Sequence, residues 1–219
     1  MMTPADFKLV VLISGTGSNL QAIMDAIAAG DIVARIAAVI SDKPQALGLQ
    51  RAKQAGIATQ VIARTDYADG IAFDQALLKA VDSYQPQLVV LAGFMRILEA
   101  QFVNHFSGRI INIHPSLLPR HKGLHTHRRA LAEGDQEHGC SVHFVTPELD
   151  GGPLIAQARV PVLADDDEDR LAKRVLTQEH RLLPMVIKWY AQGRLQLSGQ
   201  GPQLDGQLLP TDGWQLDRP

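Results

Sequence analysis

The sequence predicts an α/β protein: a doubly wound, mostly parallel sheet with antiparallel strands added toward the C-terminus. Three observations carry this reading. Five short strands recur between residues 7 and 113, and most are apolar without polar alternation, as strands buried on both faces require. Segments with helical spacing separate them, and β and α elements in alternation build a parallel sheet. After residue 120 the rhythm changes, and an alternating apolar–polar strand appears.

Taken in order, residues 7–14 (FKLVVLIS) form the first strand, followed by glycine. Apolar residues at 20, 23, 24 and 27 mark a helix over 20–29. Residues 34–41 (ARIAAVIS) are the second strand, and a helix from 46 to 54 ends at Gly56 as its C-cap. Residues 58–62 are the third strand. Asp66 is the expected cap of a helix that runs to Tyr84 and is ended by Pro86. Residues 88–92 (LVVLA) are the fourth strand, 97–106 a helix, and 109–113 the fifth strand. Beyond these, 124–132 is a helix ended by Gly134. Residues 139–145 (GCSVHFV) alternate like a strand with one wet face. Residues 154–162 are extended, and the loop 146–153 joins the two. A long helix capped by Asp165 reaches Gln192, with acids 165–168 at its positive end and Pro184 inside it. Residues 198–219, rich in Gly, Gln and Pro, are read as short strands or irregular structure.

Composition narrows the function classes. Hydrophobic residues make up 46% of the 219 and charged residues 20%, enough for a real core. A net charge of −2 argues against a nucleic-acid binder held by phosphate contacts. The single cysteine, Cys140, excludes an internal disulfide and fits a reducing compartment. Neither a signal-peptide pattern nor an 18-residue apolar run is present, so a cytoplasmic protein without membrane contact is expected. The expected assembly is a monomer or weak homodimer.

Five groups of residues could carry chemistry. Asn112 and His114 interrupt the fifth strand two residues apart, so both emerge on one face at its C-terminal end, where Pro115 stops the ladder. A satisfied amide–imidazole pair is the structural alternative. Ser14, Gly15, Thr16, Gly17, Ser18 and Asn19 follow the first strand and open the first helix, a phosphate-binding arrangement with exposed N–H groups, or else a tight β–α turn with an N-cap serine. Leu20 stands where a dinucleotide fingerprint has its third glycine, and no Walker lysine follows, so one phosphate monoester fits best. Gly151 and Gly152 after Asp150 make an irregular loop that could aim the carboxylate, or a plain turn. His114, His121, His125 and His127 invite a metal reading. However, 125 and 127 would face different sides of a helix, and no carboxylate or cysteine sits at ligand spacing, so no metal is expected. Residues 93–98 lie beyond the fourth strand's carboxyl end, where open α/β sheets bind ligands.

Together these motifs resemble the folate-dependent phosphoribosylglycinamide formyltransferases. The similarity is carried in order by strand one with residues 14–19, LAGFMRIL at 91–98, NIHPSLLP at 112–119, GLHTH at 123–127, residues 138–145 and ELDGGP at 148–153. It implies a Rossmann-like formyltransferase domain over residues 7–195, between an N-terminal extension, 1–6, and a C-terminal tail, 196–219. It implies transfer of a formyl group from 10-formyltetrahydrofolate, a co-substrate, to the amine of glycinamide ribonucleotide in purine biosynthesis. By position, Asn112, His114 and Asp150 match the family's catalytic trio. Gly17, Ser18, Asn19 and Glu179 match its ribonucleotide site. Met95, Arg96, Ile97, Leu98, Asn112, Thr146, Pro147, Glu148, Leu149 and Asp150 match its folate cleft.

Four positions depart from the family pattern. Gly70 stands where many members have arginine, His121 and Lys122 replace a more usual aromatic–proline pair, Pro147 replaces an acid, and Cys140 replaces threonine. Rival readings are disfavoured. A methionyl-tRNA formyltransferase would bring a tRNA-binding C-terminal domain and more basic charge, and a formyltetrahydrofolate deformylase an N-terminal regulatory domain. A non-catalytic nucleotide-binding module has no need of the trio. A nicotinamide oxidoreductase is disfavoured by Leu20 and by Asp42, which lies 25 residues past Gly17 rather than about 20.

Overall fold

A computed structural model describes residues 7–216; the expected extension 1–6 and the last three residues of the tail lie outside it. The chain divides into two compact units, Met1–Asn112 and Ile113–Pro219, and the division falls inside a strand rather than at a linker.

In the first unit β1 (Lys8–Ile13) is central, with β2 (Arg35–Ser41) parallel on one side and β4 (Leu88–Leu91) parallel on the other. β3 (Thr59–Val61) pairs beyond β2, and β5 (Ile110–His114) pairs with β4, its Asn112 opposite Leu91. All five run parallel. Leu9 to Ile13 are fully buried, as are Leu88, Val89 and Val90, which is why these strands read as unbroken apolar runs. Helices α1 (Ser18–Ala28), α2 (Leu47–Gln54), α3 (Gly70–Ser83) and α4 (Ala100–His105) connect them. Because β2 and β4 flank β1, the winding reverses there, and the carboxyl ends of β1 and β4 form a switch point.

Helix starts in the first unit differ from expectation. Asp69, not Asp66, caps α3; its carboxylate accepts from the Ala72 N–H at 2.8 Å, while residues 64–66 close their own 3-10 turn. The helix expected from 97 begins at Ala100, because the Glu99 N–H is spent on the buried Asp74 carboxylate and Glu99 stays extended. Burial raises the Asp74 pKa, and that N–H opposes the rise.

In the second unit β6 (Glu137–Phe144) and β7 (Leu154–Pro161) pair antiparallel, as expected, and α5 (Thr126–Ala132) and α6 (Glu168–Ala191) belong to the same unit. α5 begins two residues late, because His125 is left-handed (φ 57°) at its cap. Asp167 rather than Asp165 caps α6, accepting from the Arg170 N–H at 2.8 Å. Asp165 pairs with the Arg170 guanidinium and Asp166 with Arg174, which holds the Asp166 carboxyl down at about 2. The helix runs through Pro184. Of the two readings of residues 198–219, short strands hold: β9 (Gly201–Leu204) and β10 (Gln207–Leu208) join β8 (Leu195–Ser198), which begins before that stretch, in an antiparallel sheet. β11 (Trp214–Leu216) returns to pair parallel with β7.

The wet face expected on β6 is absent: every residue from His138 to Phe144 is buried. Its polar positions are paired internally. The Ser141 hydroxyl donates to the Ser116 carbonyl at 2.7 Å and accepts from the Leu118 N–H at 3.1 Å. The Gln157 amide donates to the Leu118 carbonyl at 2.8 Å and to Ser141 at 2.9 Å. The loop after β5 therefore covers this face. Among the described residues, no helix is long and apolar enough to cross a membrane.

The cap assignment is testable by urea unfolding. Asp69→Ala should cost about 1 kcal/mol, whereas Asp66→Ala should stay within about 0.5 kcal/mol of the parent.

Candidate active site

β5 delivers Asn112 and His114 to one face by strand alternation, His114 being 6% exposed and Asn112 half-buried. The His114 Nε2 lies 3.0 Å from the His121 carbonyl oxygen. A carbonyl only accepts, so Nε2 carries the hydrogen. Its Nδ1 lies 3.5 Å from Asp150 Oδ2. The ring thus has an acceptor facing each nitrogen.

Asp150 reaches this position from the loop between β6 and β7. Its backbone is left-handed (φ 45°), and its Oδ2 accepts from the Gly123 N–H at 2.8 Å. The His143 Nε2 sits 3.8 Å from the other carboxylate oxygen. The glycine pair read from sequence has a steric role at its second member: a methyl at Gly152 would run into the Phe144 carbonyl. The loop can close against β6 only with glycine there.

A group of histidines surrounds the loop. His121, also left-handed (φ 53°), places Nε2 2.8 Å from Asp135 Oδ2 and Nδ1 3.6 Å from Glu133 Oε1. Arg120 pairs with both acids. Burial would raise the Asp135 carboxyl, but hydrogen bonds from His121 and Arg120 bring it below its ordinary range. His121, Glu133 and Asp135 offer three metal-ligand atoms within 4.8 Å of one another, a set the sequence spacing did not reveal. The two carboxylates flank opposite nitrogens of one ring and share an arginine, so the four side chains form an ion-pair network. His127 contacts His138 ring to ring, Nδ1 to Nε2, at 3.1 Å, and His125 is the α5 cap, so the His-x-His pair does not converge. Burial pushes His127 down, and it takes His138 and His143 to about 4; neighbouring histidine charges add to the fall at His138.

In the first unit Gly17 caps α1 in the left-handed region, and the loop before it rests on α2: the Gly48 N–H donates to the Gly15 carbonyl at 3.1 Å, and Arg51 donates to the Thr16 carbonyl at 3.0 Å. A methyl at Gly17 would lie 2.6 Å from the Gly48 Cα. Ser18 and Asn19 begin the helix, with Asn19 buried, and a helix N-terminus is a favourable place for an anion. Ser14 does other work. Its hydroxyl donates to Asp42 at 2.6 Å and accepts from the Met95 N–H at 2.8 Å, while Arg96 pairs with the same Asp42 at 2.9 Å. This latch joins the loops after β1, β2 and β4, and sequence spacing gave no sign of it.

Of the residues matched to a folate cleft, Met95 and Ile97 are 61% and 73% exposed, while Leu98 is buried. Arg64, Gly70, Phe73, Asp74, Met95 and Arg96 help to line a hollow of about 300 Å³. Pro147, Glu148 and Leu149 are exposed, and Thr146 is half-buried. Glu179 is a buried acid on α6, and its charge adds to burial in raising the Cys140 thiol, which is inert there.

The buried histidines set a pH dependence. His138 and His143 titrate near 4 when folded and near 6.5 when unfolded. The unfolded chain then binds more protons between these values, so stability falls as pH drops through that window. Urea unfolding should lose about 2 kcal/mol per ring between pH 7 and 5, and His143→Gln should remove about half of the drop; a flat profile would refute the assignment. Gly152→Ala should destabilise by about 1–3 kcal/mol by overpacking.

Comparison with known proteins agrees with this geometry. The formyl transferase family model matches residues 7–187. The chain is 56% identical over 210 residues to the phosphoribosylglycinamide formyltransferase of Escherichia coli K12, covering 96% of this chain and 99% of that one. It is 43% identical over 194 residues to the human trifunctional purine biosynthetic protein adenosine-3, covering 89% of this chain and 19% of that protein. Among solved structures, phosphoribosylglycinamide formyltransferase from Coxiella burnetii, in complex with CHES, superposes with a TM-score of 0.92 at 50% identity, covering 96% of this chain and 99% of that one. The chain belongs to the phosphoribosylglycinamide formyltransferases of the formyl transferase family.

Proposed function

We propose that the protein transfers the formyl group of 10-formyltetrahydrofolate to the amine of glycinamide ribonucleotide, giving formylglycinamide ribonucleotide and tetrahydrofolate in purine biosynthesis. The observation that carries the reading is the placement of Asp150 beside the His114 ring at the end of β5, two residues after Asn112. Family membership supplies the substrates.

The residues suit the chemistry. The amine attacks the formyl carbon, a carbon–nitrogen bond forms, and the carbonyl oxygen takes the charge. The Asn112 amide donates to that oxygen, as in an oxyanion hole. When the intermediate collapses, the bond from carbon to the folate nitrogen breaks, the attacking nitrogen loses a proton and the leaving nitrogen gains one. His114 Nε2 is committed to the His121 carbonyl, so proton exchange runs through the Nδ1 edge beside Asp150. Asp150 orients the ring. No covalent enzyme intermediate is needed.

Gly17, Ser18 and Asn19 hold the ribonucleotide phosphate at the α1 N-terminus, and Glu179 contacts the ribonucleotide. Residues 95–98 and 146–150, with Asn112, receive the folate. The exposed apolar side chains of Met95 and Ile97 in the first unit suit contact with a flat heteroaromatic partner.

Turnover should be followed as loss of the formyl donor with and without ribonucleotide. Ribonucleotide-dependent consumption is expected; consumption without it would indicate a deformylase. His114→Ala and Asp150→Asn should each lower kcat by about 100-fold or more while ribonucleotide affinity changes by less than about threefold. Near-normal turnover in either variant would overturn the assigned roles.

A further inference from the structure

Residues 121–123 each touch the machinery around His114, and they do so in sequence. The His121 carbonyl accepts from His114 Nε2 at 3.0 Å. The Lys122 ammonium pairs with Glu148, two residues before Asp150, at 2.7 Å. The Gly123 N–H donates to Asp150 at 2.8 Å. Both catalytic side chains are thus oriented by backbone groups of one short segment. The segment is itself tied down. The His121 ring, 2% exposed, is bound by Asp135, with Glu133 at its other nitrogen and Arg120 bridging the two acids. Arg129 of α5 donates to the Lys122 carbonyl at 2.6 Å. His121 and Asp150 both hold left-handed backbones, which persist when surrounding contacts over-determine them.

We propose that residues 121–123 are a positioning clamp for the catalytic pair, and that His121 and Asp135 are positioning residues for formyl transfer. The inference rests on the reading of His114 and Asp150 as catalytic. Its physical content is specific. The His121–Asp135 bond fixes the backbone at 121, that backbone fixes the carbonyl, and the carbonyl fixes the hydrogen of His114 on Nε2. Nδ1 is thereby kept toward Asp150 for proton exchange. Loss of the tie lets the carbonyl shift, and the ring gains freedom to flip or to move its hydrogen to Nδ1. A displacement on the order of 1 Å at a reacting group costs up to about a hundredfold in rate.

The test compares His121→Leu, His121→Gln and Asp135→Asn with the parent and with His114→Ala. Steady-state kinetics should be combined with ¹⁵N NMR of the imidazole nitrogens. His121→Leu and Asp135→Asn should lower kcat by about tenfold, with both KM values within about twofold. His121→Gln, whose amide can still donate to Asp135, should recover to within about threefold of the parent. In the parent protein His114 should show its hydrogen on Nε2, and in the two disrupting variants that signature should weaken. Folded variants with parental kcat would overturn the clamp, and so would a parental His114 protonated on Nδ1 alone. That last measurement decides the matter even where a variant fails to fold. Full turnover in His114→Ala would instead defeat the catalytic reading, independently of the NMR result.

Discussion

A histidine ring taken out of water needs a partner for each nitrogen, and much of the second unit is arranged to give His114 two of them. One acceptor comes from the loop that follows β5 and the other from the loop that joins β6 to β7. Neither loop belongs to regular structure, so each is held by side chains elsewhere: His121 against Asp135, Lys122 against Glu148, Gly123 against Asp150. The rigid element supplies the histidine, and two constrained loops supply its orientation. This division of labour is common where a fixed sheet carries variable chemistry.

The polar interior of the β6–β7 pair serves the same end. An unsatisfied buried polar group costs about 1–3 kcal/mol, yet Ser141 and Gln157 are almost wholly buried. Their hydrogen bonds go to the backbone of Ser116 and Leu118, so the loop after β5 is docked by directed contacts rather than by apolar contact alone. The first unit uses a comparable device at its switch point. There Ser14, Asp42 and Arg96 join three loops through one buried carboxylate. In each case a polar group inside the fold sets the place of a loop that hydrophobic burial would leave ill-defined.

Features set by local pattern were legible in the sequence. The apolar runs at β1, β2, β4 and β5 became parallel strands because their burial is written in their composition, whereas β3, half-buried to exposed, carries Thr59 and Gln60; the i, i+2 spacing of Asn112 and His114 sufficed to put them side by side. What depended on a distant partner was not legible. The alternation of residues 139–145 was read as a wet face, since nothing local says that Ser141 and His143 would be covered. Asp66 and Asp165 were chosen as helix caps because several acids precede each helix, and only the backbone angles at Asp69 and Asp167 decide among them. The reach of Asp150 to His114 came from family resemblance, because 36 positions of sequence separation contain no distance information. His121 is legible in the sequence as a candidate metal ligand and as a departure from the aromatic residue usual there, but its tie to Asp135 is not.

The return of β11 to the edge of β7 gives the end of the chain a protective part. An uncovered strand edge offers unpaired N–H and C=O groups to any other strand, and native proteins guard such edges. Here three residues of the tail, Trp214 to Leu216, occupy that side of β7. Trp214 stands edge-on to Trp189 of α6, with ring centroids 5.3 Å apart. These are the chain's two tryptophans. The protein's indole fluorescence is therefore a report on whether the tail is seated, readable without any label and independent of the chemistry at β5.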